Sequence, residues 1–170
     1  MAATMHFTET NGASAGTETD IGAGTANAGV IRFRAADAYA ADSTSPLVKT
    51  GAAVYSFKKS LRFKPDTGST YTTIDTLKFY MATPPTNTEF YVNPSPPASY
   101  TQATTAATSA TDATWTAHPA SASPIAVTGS SSSNATVAFG NFIEVYMRIQ
   151  DAIATGTTTA CTFTFQWNEI

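Results

Sequence analysis

The sequence predicts an all-β protein, a single antiparallel β-sandwich of jelly-roll-like type with long loops rich in Thr, Ala, Ser and Pro. Three observations predict it. Several short runs alternate apolar with polar side chains at the two-residue period of a half-buried strand. Those runs are rich in β-branched and aromatic residues and are punctuated by Pro, Gly, Ser and Thr, as strands and turns are. No repeat of fixed length is visible, which argues against a propeller or solenoid. A chain of 170 residues fits one domain. Within it, residues 1–29 read as an extended N-terminal arm and residues 30–170 as the sandwich.

Residues 8–29 are dominated by Thr, Gly, Ala, Ser and Asn, too small and polar to bury much surface, hence the arm. VIRFRA (30–35) alternates Ile31 and Phe33 against Arg32 and Arg34 and reads as the first strand. A loop through DSTSPL leads to YSFKKSLRFK (55–64), where Tyr55, Phe57, Lys59, Leu61 and Phe63 share one face. Ser56, Lys58, Ser60, Arg62 and Lys64 share the other, a basic comb. Lys59 interrupts the oily face, and is expected at the sheet margin with its stem covered and its ammonium in water. The alternative is an ion pair across a subunit boundary.

Pro65-Asp66-Thr67-Gly68 has the chemistry of a tight reversal. It predicts a hairpin joining the 55–64 strand to YTTIDTLKFYMA (71–82), whose Leu77, Phe79 and Met81 oppose Thr76, Lys78 and Tyr80. Prolines bracket EFYV (89–92), a short strand confined to an edge or the side of a loop. Residues 98–116 and 121–136 are Thr, Ala and Ser with little else, and read as surface excursions. In FGNFIEVYMRIQ, Ile143, Val145, Met147 and Ile149 alternate against Glu144, Tyr146, Arg148 and Gln150. After the DAIATGTTTA loop, CTFTFQWNEI is the cleanest alternating run in the chain.

Charged residues are only 12% of the chain, about half the ~25% of soluble domains, while Ala and Thr exceed a third of it. The surface is therefore expected to be neutral and rich in hydroxyls. A formal charge of -3 argues against nucleic acid as a partner. No span approaches the ~20 apolar residues of a membrane helix, and the N-terminus lacks the basic and apolar regions of a signal peptide. Cys161 is the only cysteine, so no internal disulfide can form. Its phase with Phe163, Phe165 and Trp167 makes it a small core residue.

No glycine-elbow serine, phosphate-cradling loop or metal-binding histidine pair is present, and His6 and His118 have no neighbours at ligand or triad spacing. Asp37, Asp42, Asp66 and Asp112 sit where turns favour Asp. The expectation is a protein that is not an enzyme and carries no cofactor. Tyr71, Tyr80, Tyr100, Trp115 and Tyr146 lie outside the clean core phase and are candidates for a stacking site or a subunit interface. Trp115 stands alone in its loop.

TETNGA near the N-terminus, the basic-aromatic YSFKKSLRFK, the TLKFYM strand, the Thr/Ala/Pro-rich middle and the closing TFTFQWNE resemble small all-β virion proteins of tailed bacteriophages. The resemblance is to capsid decoration, or cement, proteins in particular. It implies a non-enzymatic protein on the capsid surface, assembled in the host cytoplasm, with the major capsid protein as partner. It also implies a homo-oligomer, a trimer at three-fold positions. Candidate contacts with the shell or between subunits are Arg32, Arg34, Lys58, Arg62, Lys64, Tyr80, Tyr100 and Trp115. A role in the tail or at the head-tail junction stays open, as does a sugar-binding module using Tyr80, Tyr100 and Trp115. The plain alternative for the comb is a solvated strand face paired with nearby Asp and Glu.

Overall fold

The structure is a computed structural model that describes residues 3–13, 15–21, 29–38, 47–48, 52–150 and 161–170. Its described strands are β1 (Met5–Asn11), β2 (Thr17–Asp20), β3 (Val54–Tyr55), β4 (Lys59–Pro65), β5 (Thr73–Met81) and β6 (Thr88–Val92). They continue with β7 (Thr116–Ala117), β8 (Ile125–Val127), β9 (Ser131–Ser132), β10 (Phe139–Ile149) and β11 (Phe163–Glu169). One helical turn, α1 (Ser109–Asp112), precedes β7. All pairings are antiparallel. A large sheet runs β2-β1-β4-β10-β6-β7, with β3 also on β10; a smaller one runs β11-β5-β8, with β9 also on β5.

The two sheets face each other across an aromatic core. Alternation puts Phe7, Leu61, Phe63, Phe90, Val92, Ile143 and Val145 on the inner face of the large sheet, all buried. Ile74, Leu77, Phe79 and Met81 of β5 answer from the smaller sheet. Rings of β11 reach across, Phe165 to Phe7 at 4.7 Å and to Phe63 at 5.6 Å, and Phe163 to Phe90 at 5.3 Å. Such face-to-face packing with interlocking inner side chains defines a β-sandwich. Cys161 is partly buried against this core.

The sequence reading placed the inward phases of β4, β5 and β10 correctly but misplaced several connections. The N-terminal arm is, over its described part, two strands of the large sheet: β1 pairs with β4 from Met5↔Pro65 to Thr10↔Ser60 and carries β2 on its other side. Thr8, Glu9 and Thr10 are buried, because hydroxyls and carboxylates can line a sheet that other groups cover. Residues 30–35 form no strand. Ile31 and Phe33 do turn inward, Phe33 lying 5.2 Å from Phe90 and 6.0 Å from Phe163, so this segment plugs the gap between the sheets without joining a ladder.

The predicted β4–β5 hairpin is also absent. The two strands belong to opposite sheets, joined by residues 66–72. Turn chemistry is present, with Ser69 N–H donating to Asp66 O at 3.1 Å. Yet both strands carry a full oily face, and the seven-residue link is long enough to cross the ~10 Å between sheets and oppose those faces. β6 sits beside the short edge strand β7, close to its expected margin. Between Phe139 and Ile143 the β10 register shifts against β4. Gly140, at φ +80°, supplies the conformation this irregularity needs.

The excursion after Asn93 is a cover over the outer face of the large sheet. Phe142 N–H donates to Pro97 O at 2.8 Å, Asn141 Nδ2 to Pro96 O at 2.8 Å, and Ala107 N–H to Ser56 O at 3.1 Å. The second excursion, 121–136, contributes β8 and β9 to the smaller sheet. The DSTSPL loop up to Pro46, the DAIATGTTTA loop, Asp42 and residues 22–28 of the arm lie outside the described residues.

Candidate functional site

The outer face of the large sheet carries most of the described charge, and the strand registers explain how it is neutralised. Lys58, Arg62 and Lys64, the basic comb, do share this face, and each has an acidic partner within the chain. Lys64 Nζ donates to both carboxylate oxygens of Asp20 on β2, at 2.8 and 2.7 Å. Arg62 lies 3.8 Å from Glu18, donates Nε–H to Gly140 O at 3.1 Å and sits 5.1 Å from the centre of the Phe142 ring. Lys58 pairs with Glu144 of β10, whose other oxygen accepts Asn93 Nδ2 at 2.8 Å. His6 bridges Asp66 and Asp20. Burial alone would raise the Asp20 carboxyl, but hydrogen bonds from Lys64 and His6 hold it below its ordinary value.

Arg32 and Arg34 do not extend this comb as a second strand. Arg34 is buried, its carbonyl accepts Phe57 N–H at 2.9 Å, and both guanidinium-bearing residues have partners.

Lys59 corrects a further expectation. It is 1% exposed rather than marginal, and its ammonium pairs with Glu9, 0% exposed, at 2.8 Å within the same chain rather than across a subunit boundary. A second bond runs from Nζ to Ala38 O at 2.9 Å.

The aromatic candidates separate. Tyr100 Oη donates to Gly12 O at 2.9 Å, with Asp37 Oδ2 at 3.3 Å, and its ring lies 5.9 Å from Phe142. Burial first, then the Asp37 charge, push its phenol upward. Trp115 is not isolated: its ring centre is 5.0 Å from that of Tyr146, which is fully buried. Tyr71 is buried with its hydroxyl on Ser131 Oγ and Ala135 O. Tyr80, half-buried opposite Thr164, lies on the outer face of the smaller sheet, remote in the fold from the comb.

One hub was missed by sequence reasoning. Asp112, in α1, accepts Tyr146 Oη at 2.5 Å, Tyr55 Oη at 3.0 Å and Arg148 Nη1. Arg148 also pairs with Glu89 and stands 5.6 Å from the centre of the Tyr91 ring. The β10–β6 register, with Tyr146↔Tyr91 and Arg148↔Glu89, builds this cluster. Burial and the Asp112 carboxylate push Tyr91 up to about 12 and raise Tyr55 and Tyr146 as well. Nearby, His118 Nδ1 accepts Phe90 N–H at 3.3 Å, and burial lowers its imidazole below the ordinary value. The alternation of Tyr146 with Arg148 signalled the β10 half. Asp112, expected only to favour a turn, gave no signal of its long-range role.

The outer face of the smaller sheet is different in kind. It presents Thr76, Lys78, Tyr80, Thr164, Gln166 and Asn168, each half-buried or exposed. A shallow depression of about 380 Å³ is lined there by Thr76, Lys78, Phe165, Gln166, Trp167 and Asn168. Among the described residues no cluster of His, Cys, Asp and Glu has a metal-binding arrangement, and no helix is long and apolar enough to cross a membrane. No protein-family model, curated protein or solved structure matches the chain.

Proposed function

We propose that the chain is a non-enzymatic structural protein of a tailed-bacteriophage virion, a decoration protein that binds the major capsid protein lattice. The observation that carries this reading is the asymmetry of the sandwich. One outer face is covered by the 93–116 segment, which Asp112 ties to Arg148, and its strands' charges are paired with one another, while the other offers a sparsely charged sheet face of hydroxyls, amides, Tyr80 and Lys78. Such a face suits adhesion by many weak contacts, multiplied by the copies in a shell. It also moves the contact surface away from the comb, whose charges serve intramolecular pairing. The resemblance of YSFKKSLRFK, TLKFYM and TFTFQWNE to decoration proteins supports the virion setting, and a trimer at three-fold positions remains the assembly it implies.

The test is co-sedimentation of purified protein with undecorated capsids. Binding at a copy number comparable to the shell subunits is expected, with Lys78→Glu combined with Tyr80→Ala weakening it and Arg62→Ala leaving it in place. No sedimenting complex overturns the reading, and binding at a single vertex reassigns the protein to the head-tail junction or tail.

A further inference from the structure

Glu9 and Lys59 form a charged pair inside the core whose polar groups are only partly satisfied. β1 and β4 are antiparallel with Thr10 opposite Ser60, so the next step of the register brings Asn11 opposite Lys59 on the inward face, which Glu9 shares. Glu9 Oε1 accepts from Lys59 Nζ at 2.8 Å and from Asn11 Nδ2 at 3.4 Å. An amine and a carboxamide thus converge on one carboxyl oxygen. The other oxygen, Oε2, is buried without a hydrogen-bond partner. An orphaned oxygen of this kind is costly in a core and calls for an explanation. Burial is the largest influence on the Glu9 carboxyl and raises it toward the protonated form, against the opposing pull of Lys59.

We propose that Lys59 and Asn11 become joined by an isopeptide bond between Nζ and Cγ, formed within the folded chain with Glu9 as proton carrier and ammonia as leaving group. The Lys59 ammonium first gives a proton to Glu9, leaving a neutral amine whose lone pair attacks Asn11 Cγ. The carbonyl π pair moves onto Oδ1, where the protonated Glu9 donates a hydrogen bond to the developing negative charge. A second proton then passes from the attacking nitrogen through Glu9 to Nδ2. The Cγ–Nδ2 bond breaks, its electron pair leaves with nitrogen as ammonia, and the carbonyl re-forms.

Ammonium, carboxylate and carboxamide become secondary amide, carboxylic acid and ammonia, with atoms and charge conserved and no oxidant required. The product has no buried ion pair. The new amide N–H is placed to donate to Glu9 Oε1, and the protonated Oε2 gains the amide oxygen as an acceptor. A chain with one cysteine would in this way carry a covalent tie between two neighbouring strands of its large sheet.

Asn11 precedes Gly12, a pair whose usual ammonia-losing reaction is ring closure by the following backbone nitrogen. Here that N–H donates to Asp37 Oδ2 at 3.0 Å. The experiment is therefore intact mass of the denatured full chain together with peptide mapping. The expected result is a mass one ammonia below that of the sequence and a branched peptide joining residues 11 and 59. Lys59→Arg and Glu9→Gln should restore the full mass, and Asn11→Asp should lose water in place of ammonia. A wild-type mass equal to the sequence overturns the proposal. So does loss of ammonia with peptides 11 and 59 unlinked, which marks ring closure at Gly12. The wild-type measurement decides even if the Glu9 variant does not fold.

Discussion

Replacing Asp112 with alanine should loosen the cover from the large sheet, and the size of the effect follows from what each partner loses. Tyr146 Oη is in a fully buried residue and has Asp112 as its acceptor at 2.5 Å. Leaving a buried hydroxyl unsatisfied costs about 1–3 kcal/mol. Tyr55 is only half-buried and can turn to water, so its loss is small. Arg148 keeps Glu89, and at 23% exposure its lost carboxylate counts for less than the ~3–5 kcal/mol of breaking a fully buried pair. The expected total is about 3 kcal/mol. Asp112→Asn keeps one acceptor oxygen and should lose about half of that.

Urea denaturation measures the change, and limited proteolysis of the native variant shows whether residues 98–115 become cleavable before the sandwich unfolds. An Asp112→Ala protein within about 0.5 kcal/mol of wild type, with an unchanged cleavage pattern, would refute the latch.

Two further outcomes follow from single positions. His118 titrates lower in the folded chain than its ordinary 6.5, so as pH falls the unfolded state binds its proton first and stability declines below that pH until the folded imidazole titrates. Burial is the cause, with Glu89 opposing it and Arg148 reinforcing it, so Tm between about pH 7 and about pH 5 should fall less steeply in His118→Gln than in wild type; equal slopes would remove the assignment. At Gly129, φ +149°, an added Cβ would stand 2.3 Å from Gly140 Cα, where the chain just past β8 meets the start of β10. Gly129→Ala should therefore cost more than about 2 kcal/mol in the same urea assay, and near-wild-type stability would show that the two backbones separate easily.

Alternation by itself determined which side of β4, β5, β10 and β11 meets the core, because a strand presents its side chains to two faces in strict turn. It put Leu61 and Phe63 inside, Arg62 and Lys64 outside, and drew Tyr146 and Arg148 onto one face. It could not determine where each strand goes, since Pro65-Asp66-Thr67-Gly68 permits a reversal within one sheet or a crossing to the other. Tertiary packing chose the crossing. Nor could composition tell a free arm from a paired strand: TETN is polar, and its Glu9 is buried only because Lys59 arrives from β4 to meet it. The role of Asp112 lies on the same side of the divide. A carboxylate in a Thr/Ala loop becomes an anchor when a sheet brings Tyr146, Tyr55 and Arg148 to it from distant segments, and that convergence exists only in three dimensions.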